Sequence, residues 1–466
     1  MRRLSMIAML LAGCANDSGA VFWRGYPPAQ KIANVASRDE GAWKKLVELC
    51  DDVGHRLSGS KGLERAVEWG VATLKADGHE NVRAEPVKVP KWVRGRESLA
   101  LLEPREHPMV ILGLGGSVGT PPEGITAEVV VVRDKAELDA IGDGAKGKIV
   151  LFNFPMPSYD AEKGSRYGET VTYRVNGAAW AAEKGAVAAL VRSVTAKSLR
   201  TPHTGGMNYG KAAVKIPTAA ITIEDAEMLA RLAARGKKPV VRLIMDAKSE
   251  GEADSHNVIG ELVGREKPDE IVIISGHLDS WDVGQGAHDD GAGCVIAMQA
   301  LTTLRQLGLR PRRTIRVVLW TNEENGLGGA RTYVKDHAVE LKKHIAAIES
   351  DSGGTRPLGF TVEHADAAKL PKIIERLRGN LRALEDMRAS DVRPGGSGAD
   401  VGQLKEHGVA CLGLRVDDSI YFDTHHTPAD TVDKVNPADL AKCVAAMALA
   451  AYQIAEHGWE PEAGSR

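Results

Sequence analysis

His277, Asp289, Glu324, Asp351 and His426 are of the residue types that hold divalent metal, and each lies at or just beyond the end of an apolar run or in an acidic turn. His277 closes IVIISGH, Glu323-Glu324 follow TIRVVLWTN, Asp351 follows HIAAIES, and His425-His426 precede TPADT. Asp289 sits in the glycine-rich turn AHDDGAG. A hydrolytic zinc needs neutral imidazole and carboxylate ligands plus an open position for water. Two zincs about 3.5–4 Å apart need a bridging carboxylate and two terminal ligands each, and together clamp both oxygens of a developing tetrahedral centre. The five residues match that requirement: His277 and Asp351 for the first ion, Glu324 and His426 for the second, and Asp289 between them.

Glu323 is then the general base. Adjacent carboxylates at a strand end point different ways, so one binds metal while the other faces the water and passes its proton to the leaving amine. Asp279 lies two residues beyond His277, on the same face of an extended strand. There its carboxylate is expected to accept the free imidazole N–H and fix the tautomer. Asp290 is expected to cap the helix that follows. Each feature alone has a plainer reading: His-x-Asp as surface decoration, Glu-Glu as solvated charge, DDG as a turn. Their joint occurrence in this order, at strand ends, is what points to catalysis.

The elements that must position these residues follow from periodicity. From His256 onward strands alternate with helices: EIVIISGH, then a helix from Ala292 to Leu307, TIRVVLWT, GLGGARTYVKDH, HIAAIES, PKIIERLRGN, ACLGLRV, and a closing helix from Pro437. That alternation implies an α/β fold with a mixed, mostly parallel sheet sandwiched by helices. Ligands in such sheets gather beyond the carboxyl ends of the strands, where these residues fall. Upstream, Trp43, Leu46, Val47 and Cys50 recur at helical spacing, and Ser60 caps a second helix that ends before Gly78. Turn chemistry at 119–124 opens a different stretch. KIVLFNF, a helix ending in Lys-Gly-Ala, a further apolar strand and IPTAAIT resemble the protease-associated domain, a non-catalytic insertion. The expected organisation is a signal segment at 1–14, a first catalytic part at 30–118, the insertion at 119–250 and a second catalytic part at 251–466. GLGGSVG at Gly113–Gly119 has Val118 where a dinucleotide fingerprint needs its third glycine, and reads as a turn.

The chain has 466 residues, 43 % of them apolar, with 60 Lys and Arg against 62 Asp and Glu. No basic stripe with interleaved aromatics points to nucleic acid, and no apolar run reaches the roughly 18 residues of a spanning segment. Arg2-Arg3, a short apolar stretch and LLAGC resemble a bacterial lipoprotein signal with Cys14 as the lipidated residue. Export to the periplasm or cell envelope is expected, with membrane contact only through a lipid anchor at Cys14 in the outer membrane, and a tether running to about Gln30. Cys50, Cys294, Cys411 and Cys443 form no close pair; they read as small buried apolar residues, with one disulfide open to them in an oxidising compartment.

HLDSWDVGQGAHDDGAG, TNEENGLGGARTYV, ESDSGG and HHTPADT resemble the co-catalytic di-zinc exopeptidases, the family of bacterial aminopeptidases and glutamate carboxypeptidases. The similarity covers nearly all of the chain beyond the signal segment. It implies two Zn2+ per subunit with the ligand roles given above, a short peptide substrate, a homodimer, and a cis bond between Asp289 and Asp290. It assigns the last ligand to His426, which directly precedes Thr427-Pro428-Ala429-Asp430-Thr431. Many members carry a tyrosine before that histidine, where its hydroxyl stabilises the oxyanion; here His425 stands there, as an alternative oxyanion donor or as a packing residue. Gly395–Asp400, Trp281, Tyr421 and Phe422 are expected to shape the substrate pocket. Within the family the Ser280–Gly286 segment favours carboxypeptidase or dipeptidase action. The alternatives are aminopeptidase action at the same site, a single-zinc glutaminyl cyclase, and a non-catalytic binding member of the fold.

Overall fold

The structure, a computed structural model, describes residues 27–459. The signal and lipid-anchor reading at 1–14 lies outside the described residues. The expected tether to Gln30 is too long: a helix already begins at Pro27 and runs to Ala36, burying Ile32 and Ala33 in the main core.

Sixteen strands occur among the described residues. They are β1 (Glu80–Val93), β2 (Glu97–Glu103), β3 (His107–Met109), β4 (Ile111–Gly113), β5 (Ile125–Val132), β6 (Ile149–Phe152), β7 (Ala188–Arg192) and β8 (Thr218–Ile221). Then follow β9 (Val240–Met245), β10 (Lys248–Leu262), β11 (Lys267–His277), β12 (Arg313–Trp320), β13 (His344–Glu349), β14 (Pro357–Glu363), β15 (Asp391–Pro394) and β16 (Ala410–Val416). They form two eight-stranded sheets.

The first sheet has the order β1-β10-β12-β11-β13-β16-β14-β15. Its centre, β12-β11-β13-β16, is parallel throughout, so the carboxyl ends of four strands open on one edge. His277 at the end of β11 is in register with Trp320 at the end of β12, which brings Glu323 and Glu324 beside it. The strands β12, β11 and β13 read as nearly unbroken buried runs because helices cover both faces. The helix Ala292–Gln306 is buried along most of its length, as is Pro437–His457, against which it packs. A helix apolar on every side belongs inside a large core. Pro437–His457 is long and apolar enough to cross a membrane, yet it is a core helix here. The helix Lys61–Ala76 is capped as its sequence suggests: Ser60 Oγ accepts from the Leu63 amide at 3.2 Å, and Gly78 beyond the end has φ of 78°.

The second sheet has the order β3-β2-β9-β5-β6-β7-β8-β4. It corrects the expected domain boundary at 119. The chain leaves the first sheet at Val93, paired with Lys248, and returns on β10. Everything between, including β2, β3 and β4, belongs to the insertion, because β2 pairs with β9 and β4 with β8. The turn at 119–124 lies inside that domain, where Thr120 and Gly124 bond within it. The strands β14 and β15 were also unforeseen; they widen the first sheet at one edge, where Pro394 ends the pairing. Cys50, Cys294, Cys411 and Cys443 are all buried free thiols.

Candidate metal centre

His277, Asp289, Glu324, Asp351 and His426 meet at the carboxyl edge of the first sheet. Asp289 lies at their middle. Its Oδ1 is 3.2 Å from His277 Nε2 and its Oδ2 is 3.0 Å from His426 Nε2. His277 Nε2 is also 3.4 Å from Asp351 Oδ1, and His426 Nε2 is 3.0 Å from Glu324 Oε2. Each imidazole spends its other nitrogen on a carbonyl: His277 Nδ1 donates to Asp279 O at 3.0 Å, and His426 Nδ1 to Thr204 O at 3.1 Å. In the neutral rings, Nε2 is therefore a bare acceptor facing carboxylate oxygens. Acceptors face acceptors at 3.0–3.4 Å only with a metal ion or a proton between them. Ligands bonded to zinc at about 2.0–2.1 Å in a tetrahedron stand about 3.3 Å apart, which these separations match. Glu324 Oε1 and Asp289 Oδ2, both buried, lack a hydrogen-bond donor. The donor set fits divalent metal, with one oxygen of Asp289 facing each imidazole. Without cations, protons do that work: although burial opposes it, Glu324 and Asp289 push His426 up to about 9.

The turn Ala287–Gly291 presents Asp289 through a cis peptide to Asp290. Asp430 holds that turn, accepting from the His288 and Asp289 amides at 2.8 and 3.1 Å. Asp290 Oδ2 accepts from the His277 amide at 3.0 Å and Oδ1 from Gly293 in the first turn of the next helix, as a cap does.

The role expected for Asp279 is corrected. Its carboxylate does not hold the imidazole; the nearer oxygen is 3.8 Å from His277 Nδ1. Strand β11 stops at His277, so the same-face argument lapses one residue too early. The carboxylate turns to accept from the amides of Glu323 and Glu324, at 3.0 and 3.3 Å, and from Ser58 Oγ at 3.2 Å. Asp279 thus fixes the backbone that presents Glu323 and Glu324.

Glu323 is almost fully enclosed. Burial, with Asp351 and Glu324 adding their charge against the opposing His277, holds its carboxyl well above the usual range. His425 Nε2 is 3.4 Å from Asp289 Oδ2, and its ring stacks on His426 at 3.5 Å between centroids. Burial and the neighbouring His426 hold His425 well below the ordinary imidazole range, so it is neutral.

These groups line a cavity of about 450 Å³ together with Tyr421 and Phe422. An adjoining cavity of about 610 Å³ shares Asp351, Ser352 and Asp418 with it, and is lined by Gly395–Gly398. Trp281, expected in the pocket, is instead buried behind His426, 5.7 Å from it between ring centroids. It fills the space that Gly115 leaves, where an added Cβ would lie 1.9 Å from the indole.

The Peptidase family M28 pattern matches residues 257–451 and the PA domain pattern residues 125–229. Carboxypeptidase Q of Bos taurus is 46 % identical over 415 residues, which is 89 % of this chain and 85 % of the relative. The chain belongs to peptidase family M28. Carboxypeptidase Q of Mus musculus is 44 % identical over 92 % of this chain and 89 % of its own. A solved M28 peptidase precursor from Shewanella amazonensis superposes with a TM-score of 0.88 at 39 % identity, covering 93 % of this chain and 98 % of that one. A zinc aminopeptidase from Bacillus subtilis has the same fold, with a TM-score of 0.66 at 21 % identity over 91 % and 96 % of the two chains.

In this M28 peptidase the inserted PA domain reaches the metal centre, which the sequence did not disclose. Thr204 takes the His426 Nδ1 proton bond on its carbonyl and donates its own amide to His426 O at 3.0 Å. Tyr167 meets His425 edge-on at 5.7 Å and stacks on Phe422 at 4.7 Å. Arg94 locks the insertion to the SWDVGQG loop, with Nε 2.8 Å and Nη2 2.5 Å from the Asp282 carboxylate. Arg56, fully buried, donates to the carbonyls of Gly54, Leu278, Gln285 and Gly286 and so shapes the loop between His277 and Asp289.

Proposed function

We propose that this M28 peptidase is a di-zinc exopeptidase that cleaves dipeptides or short peptides with carboxypeptidase or dipeptidase action. One observation carries the metal reading: the two oxygens of Asp289 each confront a bare imidazole nitrogen, His277 Nε2 at 3.2 Å and His426 Nε2 at 3.0 Å. His277 and Asp351 would hold the first ion and Glu324 and His426 the second, with Asp289 shared between them. Zinc bound there would supply Lewis acidity to the scissile carbonyl and to the attacking water. Glu323, held by Asp279 at its amide, takes the proton from that water and delivers it to the leaving amine. His425, neutral and in the same cavity, donates its N–H to the developing oxyanion. The identity to carboxypeptidase Q over most of both chains favours carboxypeptidase over aminopeptidase action.

The test is the zinc-loaded enzyme against dipeptides that are free, N-blocked or C-blocked, with metal counted per chain. Two zincs and hydrolysis that needs a free carboxyl terminus are expected. Release of the N-terminal residue first from a tripeptide, with tolerance of a blocked carboxyl terminus, assigns aminopeptidase action instead. Export and lipid attachment at Cys14 are proposed on the sequence alone, and labelled fatty acid incorporated by the wild type but lost in Cys14→Ala tests them. The homodimer implied by the family is tested by light scattering.

A further inference from the structure

Among the described residues lining the metal cavity, Asp418 is the one carboxylate that neither the metal reading nor the general base employs. It stands where that cavity joins the adjoining one, on a wall it shares with Asp351 and Ser352. It follows β16 in the turn that leads to Tyr421, whose amide donates to the Asp418 carbonyl at 3.2 Å. The acid before it is spent. The Asp417 carboxylate lies 3.2 Å from Arg356 Nη2 and accepts from the Ser419 amide at 3.3 Å, while its carbonyl accepts from the Thr355 hydroxyl at 2.7 Å. The turn that carries Asp418 is therefore pinned. Among the described residues no ion pair forms at the Asp418 carboxylate, whose hydrogen bond is to its own amide. Arg415 is paired with Asp391, and Arg393 is exposed. Burial holds the Asp418 carboxyl above the usual range, with Asp417 adding to it against Arg415 and Arg393. On the metal reading, two divalent ions balance Asp289, Glu323, Glu324 and Asp351. One charge of each sign is then left on the wall, Asp418 and Arg174, and the two do not pair. A half-buried carboxylate without a counter-charge is costly until a cation meets it.

We infer that Asp418 is a specificity-determining residue that binds the free α-ammonium group of the substrate's N-terminal residue. In a dipeptide that nitrogen is about 2.5 Å from the scissile carbonyl carbon, across the N–Cα and Cα–C bonds. An anion that meets it must therefore stand on the wall of the metal cavity itself, as Asp418 does beside Asp351. The same charge repels a carboxylate, so the peptide lies with its amino end toward the adjoining cavity and its carboxyl end away from it. The substrate class narrows accordingly, to two-residue peptides with a free amine rather than N-acylated ones. This assignment rests on the carboxypeptidase or dipeptidase reading above and selects its dipeptidase half.

The experiment compares the zinc-loaded full chain with Asp418→Asn and Asp418→Glu on alanyl-alanine, its N-acetyl form and its desamino form, in which hydrogen replaces the ammonium. Lysyl-alanine is run beside them, and metal is counted per chain in each variant. Binding of a phosphinic dipeptide isostere, with its amine free or acetylated, is followed by calorimetry. Alanyl-alanine has no charged side chain, so the ammonium is the only cation it offers. Wild type should favour the free dipeptide over its acetylated and desamino forms. Asp418→Asn should lose about 30-fold in kcat/KM on the free dipeptide and less than about 3-fold on the other two, the worth of a charge-assisted hydrogen bond. Asp418→Glu should recover part of the loss, and the free-amine isostere should lose affinity for Asp418→Asn in parallel. Equal losses on the free, acetylated and desamino forms, a loss confined to lysyl-alanine, or a wild type indifferent to acetylation overturns the inference and leaves the need for a free carboxyl terminus standing. A wild type that cleaves alanyl-alanine amide as fast as the acid overturns the dipeptidase reading itself, whatever the variants do.

Discussion

Protons and zinc compete for the same nitrogen in this centre, and the competition has a predictable slope. In the metal-free protein, Glu324 and Asp289 outweigh burial and push His426 up to about 9, against an ordinary value of 6.5. Thr204 O takes the Nδ1 proton in either state, so the proton that zinc displaces is the one on Nε2, facing Asp289 and Glu324. Below pH 9 the folded metal-free site holds that proton and zinc must expel it; above pH 9 the nitrogen is already bare. Each pH unit below the folded pKa then costs a factor of ten in apparent affinity, so from pH 9 to pH 7 the His426 site weakens about 100-fold, or about 3 kcal/mol. Glu324, raised by burial and by Asp289 to about 7, adds a second proton and steepens the loss below neutrality. The assay is zinc titration against a competing chelator at several pH values, with calorimetry in two buffers of different ionisation enthalpy to count protons released. About one proton per chain should leave on binding at pH 8 for this site. An affinity flat between pH 7 and 9, with no proton released, would mean that His426 Nε2 does not face a metal ion.

Other expected outcomes follow from single contacts. Glu323→Gln should keep both zincs, since the residue is assigned no metal, and lose about 10³-fold in kcat, within the range for a removed general base; metal analysis beside steady-state kinetics checks both halves. His425→Ala should lower kcat about 100-fold if the imidazole donates to the oxyanion, and a turnover number within about twofold of wild type makes it a packing residue. Gly115→Ala forces a Cβ to 1.9 Å from the Trp281 indole, which backs His426. Overpacking of that kind costs about 1–3 kcal/mol, read as a lower denaturation midpoint together with weaker zinc retention.

The parts of this molecule legible in its sequence share a physical property: they restrict residue type at a fixed place. Strands β11, β12 and β13 are covered on both faces and so read as continuous β-branched runs, and the groups that follow them are of the few types able to hold a cation. Strands β2, β3 and β4 carry no such mark. They are short or half exposed, and what assigns them to the insertion is pairing with β9 and β8, more than a hundred positions onward. Asp279 shows the limit in one residue. Spacing along an extended strand put its carboxylate beside the imidazole, but the strand ends at His277 and the carboxylate serves two amides on another loop.

The supporting contacts were hidden for a further reason. Carbonyl oxygens and amides do most of the orienting here, and every residue has them. Asp279 O and Thr204 O fix the two imidazoles; Arg56 gathers four carbonyls around the loop that carries Asp289. No side-chain signature marks an acceptor of that kind, so threonine at 204 announces nothing. The consequence concerns the insertion. The PA domain is joined to the catalytic sheet at Val93 and Lys248 and returns to it at His426 through a reciprocal pair of bonds, the His426 imidazole donating to Thr204 O and the Thr204 amide to His426 O. A metal centre whose last imidazole is oriented from another domain can be complete only while that domain is seated, and the same docking brings Arg174 and Tyr167 to the cavity wall. Seating the insertion therefore couples the orientation of His426 to the make-up of the cavity wall, which a centre built from the first sheet alone would leave independent.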